Sequence, residues 1–234
     1  MTPGNLPEAR YDEFADWYAG RAASGHWVDA TILANIEQLI GVVDGLDILD
    51  LCCGEGSFAG RLASLGSRVV GVDLSAKLLE KASARTVDGS PNFIQDDAQT
   101  LGLFEDNRFD GATCLMALMD IPGLAATFRS VRRVVKSGGW FVAVITHPAF
   151  ESPHANWDES GNRLTERYLN EGEWFSRHVE GVRAKVGANH RMISTYLNVA
   201  CRAGWQFDRM LEPQNLWPAD PNPEIPRLMF LRFR

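Results

Sequence analysis

The sequence predicts an α/β fold: a mostly parallel sheet with helices on both faces and antiparallel strands at its C-terminal end. Three observations predict it. Between residues 46 and 148, apolar runs of strand length alternate with stretches whose apolar residues recur at helical spacing. Strand, helix, strand in that order implies parallel strands joined by right-handed crossovers. After a last helix, two more strand-like runs close the chain, linked by a Pro-rich connector that suits a hairpin excursion.

Each element has its own signal. Residues 10–24 carry Phe14, Trp17 and Tyr18 on one helical face, and residues 28–40 repeat the pattern with Ile32, Ile36 and Leu39. "LDILDLCC" reads as a buried strand. "SFAGRLASLG" follows as a helix with Phe58, Leu62 and Leu65 in register and Gly66 as its stop. "SRVVGVDL" is the second strand, and "SAKLLEKASA" is a helix with Ser75 as N-cap. "PNFIQDDA" and "FDGATCLMA" give strands three and four. Residues 122–136 form a helix ended by Gly138 and Gly139, and "WFVAVITHP" is strand five. The polar segment 148–190 has scattered aromatics and reads as a lid or binding loop. "RMISTYLNVACRAG" is the last helix, before "WQFDRML" and "RLMFLRF".

The stretch "DILDLCCGEGSFAG", residues 47–60, places small residues immediately after a strand. Open parallel sheets bind ligands at the carboxyl ends of their strands, beside the point where strand order reverses. Gly54 and Gly56 let a backbone approach a ligand, and the next helix offers free N–H groups. Asp73 ends the second strand, where an acid can accept both hydroxyls of a ribose. Gly54-x-Gly56-x-x-Ala59 also fits a dinucleotide fingerprint. Asp50 stands where that fingerprint wants an apolar residue, the third strand ends in "DDA", and no Tyr-x-x-x-Lys pair exists. A nicotinamide is therefore disfavoured.

With a net charge of −7, the chain lacks the cationic surplus a general nucleic-acid binder needs. No basic-then-apolar leader is visible, and the longest apolar runs are too short to cross a bilayer. The four cysteines form no C-x-x-C pair, which supports neither a disulfide framework nor a metal site. The expectation is a cytoplasmic protein with buried thiols, no nucleic-acid or membrane partner, and an oligomeric state of monomer or homodimer.

Residues 46–150 resemble the core of the class I S-adenosylmethionine-dependent methyltransferases, with a tail similar to a subgroup acting on small molecules. The resemblance rests on "ILDLCCGEGSFAGRLASLGSRVVGVDLS", "DDAQTLGLFEDNRFDGATCLMAL" and "FRSVRRVVKSGGWFVAVITHP". It implies a Rossmann-like seven-stranded sheet and S-adenosylmethionine as cofactor. It implies that Cys52, Cys53 and Gly54 pass under the methionine part, with Gly56 in the same loop, and that Asp73 binds the ribose. By the same resemblance Leu74 packs on adenine, Asp97 and Ala98 read its edge, Met116 lies beside the thioether, and Tyr11 and Tyr18 close over the carboxylate end. Three residues depart from the family pattern: Cys52 replaces a glycine, Glu55 a small hydroxyl residue, and Ser137 a proline.

The expected organisation is one methyltransferase domain: an N-terminal helical cap over 1–45, the cofactor core over 46–147, a lid over 148–190, and a C-terminal helix and strands over 191–234. The expected reaction moves a methyl group to a small-molecule acceptor through an O, N or C nucleophile, in metabolite or natural-product biosynthesis. The alternatives are an RNA or protein acceptor, or a non-catalytic binding domain. His147, at the end of strand five, and His190, before the last helix, are the candidate bases; His154, Asp120 and His178 are weaker, and His26 is structural. Asp120, Trp157, Trp174 and Arg191 are the candidate acceptor contacts.

Overall fold

The computed structural model describes residues 6–23, 30–86, 90–177, 179–214 and 222–234. His26 and His178 lie outside the described residues. The N-terminal part is a 3-10 turn, Arg10–Phe14, running into α1, Ala15–Ala23, and then α2, Ala30–Ile40. Ala15 and Ala19 are the buried residues of the first pair, while Phe14, Trp17 and Tyr18 are half-buried beside them. The small side chains let this segment lie close on the core, and its aromatics face what it covers.

The core then alternates as the sequence predicts: β1 (Asp47–Leu51), α3 (Ser57–Ser64), β2 (Arg68–Asp73), α4 (Ala76–Ala84), β3 (Asn92–Gln95), β4 (Phe109–Leu115) and α5 (Leu124–Val134). Ser75 caps α4, its hydroxyl accepting the Leu78 N–H at 3.1 Å. β5 spans Val135–Thr146 and begins directly where α5 stops, five residues before the sequence places it. Val135 pairs with Phe109, the register then shifts, and Trp140 pairs with Gly111; the Gly138–Gly139 stretch is the irregularity inside the strand, not the stop of a helix.

Segment 148–190 is structured, where the sequence suggests a loop. β6 (Ala155–Trp157) and β7 (Arg163–Thr165) form one hairpin. β8 (Gly172–Trp174) pairs with β9 (Ala188–His190) around the short helix α6 (Val182–Val186). The chain ends with α7 (Ile193–Arg202), β10 (Phe207–Leu211) and β11 (Leu228–Phe233).

The seven-stranded sheet has the order β10-β11-β5-β4-β1-β2-β3. β1 to β5 run parallel, and β11 inserts antiparallel between β5 and β10. The order reverses between β1 and β4, so the carboxyl ends of those two strands form the ligand crevice. Its two faces are covered separately. On one, Phe128 of α5 and Tyr196 of α7 pack with Phe141, Trp205 and Phe233. On the other, Ile36, Leu39, Phe58 and Leu62 pack on Val142, Val144 and Phe230. Among the described residues no helix is long and apolar enough to cross a membrane.

Candidate active site

Where β1 and β4 end, the backbone takes the left-handed conformation at two non-glycine residues, Cys52 (φ 55°) and Met116 (φ 57°). Such positions carry strain that only a packed surrounding sustains, and they concentrate at ligand sites. Both residues line a cavity of about 1190 Å³ beneath the N-terminal segment and the 148–190 segment. Single small-molecule pockets typically hold about 300–1,000 Å³, so this one lies just above that range.

The loop between β1 and α3 forms the floor. Gly54 (φ 57°) takes the left-handed conformation, and an added Cβ would meet the Tyr18 ring at 3.6 Å, an ordinary contact. Gly56 (φ 82°) is different: its Cβ would stand 2.6 Å from Phe93 and 2.9 Å from Ala82, so α4 and β3 demand that glycine. The Gly54 N–H donates to Asp73 Oδ2 at 2.8 Å, and the Ser75 N–H to Asp73 Oδ1 at 2.8 Å. A carboxylate has about four lone-pair positions, so two remain for a ligand. Burial raises the Asp73 carboxyl pKa, and these backbone donors oppose the rise.

Asp50 is buried in the floor, 2% exposed. Its Oδ1 accepts the Thr113 hydroxyl at 2.8 Å, and its Oδ2 has no partner. Burial pushes its pKa up to about 7 against the Thr113 bond, and Asp73 and Glu55 add to the rise. Glu55 turns away to the start of α3, accepting the Ser57 N–H at 2.9 Å and the Ser57 hydroxyl at 2.7 Å, with Arg85 at 3.3 Å. The Cys52 and Cys53 thiols stay neutral: contact with Cys114 and burial raise the first, and burial raises the second.

The roof begins with two tyrosines in edge contact, centroids 5.2 Å apart. Burial raises both phenol pKa values, so both are O–H donors. Tyr11 donates to Asp120 Oδ2 at 2.7 Å, while Arg183 of α6 pairs with Asp120 Oδ1. Asp120 thus ties the N-terminal segment to α6. Trp157, Trp174 and Phe175 supply the apolar wall from the 148–190 segment.

A family model described as "Methyltransferase domain" matches residues 49–143. A ubiquinone biosynthesis O-methyltransferase from Leptothrix cholodnii is 30% identical over 118 residues, 49% of this chain and 50% of that protein. A 2-phytyl-1,4-naphtoquinone methyltransferase from Trichormus variabilis is 37% identical over 132 residues, 54% of this chain and 55% of the relative. The chain spans about half the length of these curated relatives. The crystal structure of an S-adenosylmethionine-dependent methyltransferase from Mesorhizobium loti superposes with a TM-score of 0.75 at 28% identity, covering 88% of this chain and 98% of that one. Residues 49–143 carry the methyltransferase domain, and the chain is similar in sequence and fold to S-adenosylmethionine-dependent methyltransferases.

The methyltransferase floor fits S-adenosylmethionine chemically. The unpartnered Asp50 oxygen suits an ammonium, the open positions on Asp73 suit hydroxyls, and side-chain-free Gly54 lies in the loop between them. Tyr11, Tyr18, Cys52, Cys53, Gly54 and Met116 line the cavity, as do Trp157 and Trp174. Gly56, Asp73, Leu74, Asp97 and Ala98 are not among its lining residues. Asp97 accepts the Gln99 N–H at 2.8 Å, and the Ala98 carbonyl accepts the Ser130 hydroxyl at 2.5 Å.

The two histidines singled out as bases lie off the cavity, as do Asp120 and Arg191. His147 is a turn cap: its Nδ1 accepts the N–H groups of Ala149 (3.2 Å) and Phe150 (3.4 Å), which leaves Nε2 to donate to Glu212 at 2.7 Å. His190 is 5% exposed, with Nε2 2.8 Å from the Tyr168 carbonyl. Arg191 donates to the carbonyls of Leu118, Ile121 and Pro122 and holds the turn after β4. His154, ranked lower in the sequence, lines the cavity, and so does Arg183, which sequence reasoning missed. A lone arginine in a polar stretch carries no periodic or motif signal.

Proposed function

We propose that the protein transfers the methyl group of S-adenosylmethionine to a small aromatic acceptor of phenolic or quinol type. The observation that carries the reading is the buried Asp50 carboxylate with an unpartnered oxygen, lining the cavity with Gly54 at the reversal point of the sheet. Similarity to a ubiquinone biosynthesis O-methyltransferase and a 2-phytyl-1,4-naphtoquinone methyltransferase supports the acceptor class.

When bound, S-adenosylmethionine supplies an electrophilic methyl on a sulfonium. The chain's residues then have three tasks. Asp50 holds the ammonium end and Asp73 the ribose hydroxyls, each by charge-assisted hydrogen bonds. Trp157 and Trp174 hold the acceptor and, with Tyr11 and Tyr18, exclude water from the cavity. His154 takes the acceptor hydroxyl proton at an imidazole nitrogen. Alignment of the two reactants is the larger effect, about 7–11 kcal/mol in well-oriented systems.

Incubation with methyl-labelled S-adenosylmethionine and a panel of catechols, naphthoquinols and aliphatic amines tests the reading. Label is expected in the aromatic hydroxyl or ring products. Transfer to the aliphatic amines alone would contradict the acceptor class.

A further inference from the structure

Arg183 is held on one side only. Its Nη1 donates to Asp120 and, at 3.2 Å, to the Gly187 carbonyl. Among the described residues no protein acceptor meets its Nε or Nη2, and the side chain lines the cavity with 19% of its surface exposed. The Nε–Nη2 edge is the one a carboxylate grips with two parallel bonds. A guanidinium braced by a carboxylate at one corner, with that edge open, is preorganised for an oxyanion.

The surroundings favour an anion and an aromatic body. Arg10 pairs with Glu173 at 2.6 Å and Arg183 with Asp120, which balances those charges. Lys185 lies over the rings of Phe14 (4.9 Å) and Trp17 (5.1 Å), and exposed Arg177 lines the same cavity as Arg183. Trp174 and Phe175 stand with Arg183 in the cavity wall. All three come from the 148–190 segment, whereas the cofactor floor comes from the β1 and β2 ends.

We infer that Arg183 makes this enzyme selective for an aromatic acceptor bearing a carboxylate, gripped through the open guanidinium edge. The inference rests on the methyltransferase reading and deepens it from an aromatic acceptor to an aromatic acid.

Calorimetry on protein saturated with S-adenosylhomocysteine tests it, using matched probes: benzoate against benzamide, 3,4-dihydroxybenzoate against its amide, and 2-naphthoate against 2-naphthamide. The acids should bind roughly ten- to a hundredfold tighter than the amides, the scale of a charge-assisted bidentate contact. Arg183→Met should erase that preference while binding S-adenosylhomocysteine like the parent. Because R183M leaves Asp120 without its cation, the double variant R183M/D120N is measured beside it and should give the same loss. No preference for acids in the parent protein, or a preference that survives in both variants, would overturn the inference. So would an R183M protein that loses S-adenosylhomocysteine instead, since the guanidinium would then serve the cofactor. Failure of the parent to bind S-adenosylhomocysteine at all would remove the underlying reading first.

Discussion

The N–H of Gly54 donates to Asp73 Oδ2 at 2.8 Å, tying the loop after β1 to the end of β2. One carboxylate therefore shapes the loop, and in the proposed function its remaining lone pairs take the ribose hydroxyls. Asp73→Ala is expected to weaken S-adenosylmethionine binding by about 1.5–3 kcal/mol, the scale of lost hydrogen bonds to a charged group. Titration calorimetry on the folded variant checks this. Unchanged affinity would separate Asp73 from the ligand.

Asp50 makes binding and stability depend on pH in opposite senses. An unfolded aspartate ionises near 3.9, whereas Asp50 in the fold holds its proton up to about 7. Between those values the native state keeps a proton that the unfolded chain has lost. Stability contributed by this group therefore falls as pH rises across the window, by at most about 1.4 kcal/mol per pH unit. A cationic ligand group favours ionised Asp50, so S-adenosylmethionine affinity should rise through pH 7. Asp50→Asn should flatten both dependences, read by thermal melts and titrations at pH 6, 7 and 8. A binding pH profile identical in the variant would exclude the role.

The histidines divide by what their nitrogens face. His147 has both nitrogens engaged in a turn, so His147→Ala should lower stability by about 1–3 kcal/mol and leave the pH profile of the rate unchanged. His154→Ala should leave stability nearly intact and lower the rate about 10²–10⁴-fold with a hydroxyl acceptor. The reverse pattern would return the base to the end of β5.

Much of this arrangement is legible in the sequence, and the rest is hidden for physical reasons. The β1 loop, the Ser75 cap and the alternation over 46–148 are local patterns, set by period, capping chemistry and backbone freedom, and the fold follows them. The register after α5 is not local: Val135 starts a strand because Phe109 lies beside it, which periodicity alone cannot tell. The three-residue strands of the 148–190 segment are too short to alternate visibly. His147 at a strand end looks like a base until the N–H groups of Ala149 and Phe150 are seen to claim its ring.

Tyr11→Phe removes the hydroxyl that ties the N-terminal segment to Asp120 and keeps the ring against Tyr18. The variant should lose about 1.5–3 kcal/mol of stability, as expected for a buried bond to a carboxylate. Proteolysis should cut residues 10–23 sooner than in the parent. Cleavage at the parent's rate would show that the segment is held by its other contacts.

The central claim, that the carboxyl ends of β1 and β4 hold S-adenosylmethionine and not a nicotinamide, is tested most directly by titration calorimetry with S-adenosylmethionine, S-adenosylhomocysteine and NADH. Both sulfur ligands should bind with one-to-one stoichiometry, and NADH should give no heat of binding. Tighter binding of NADH than of S-adenosylmethionine would contradict the account.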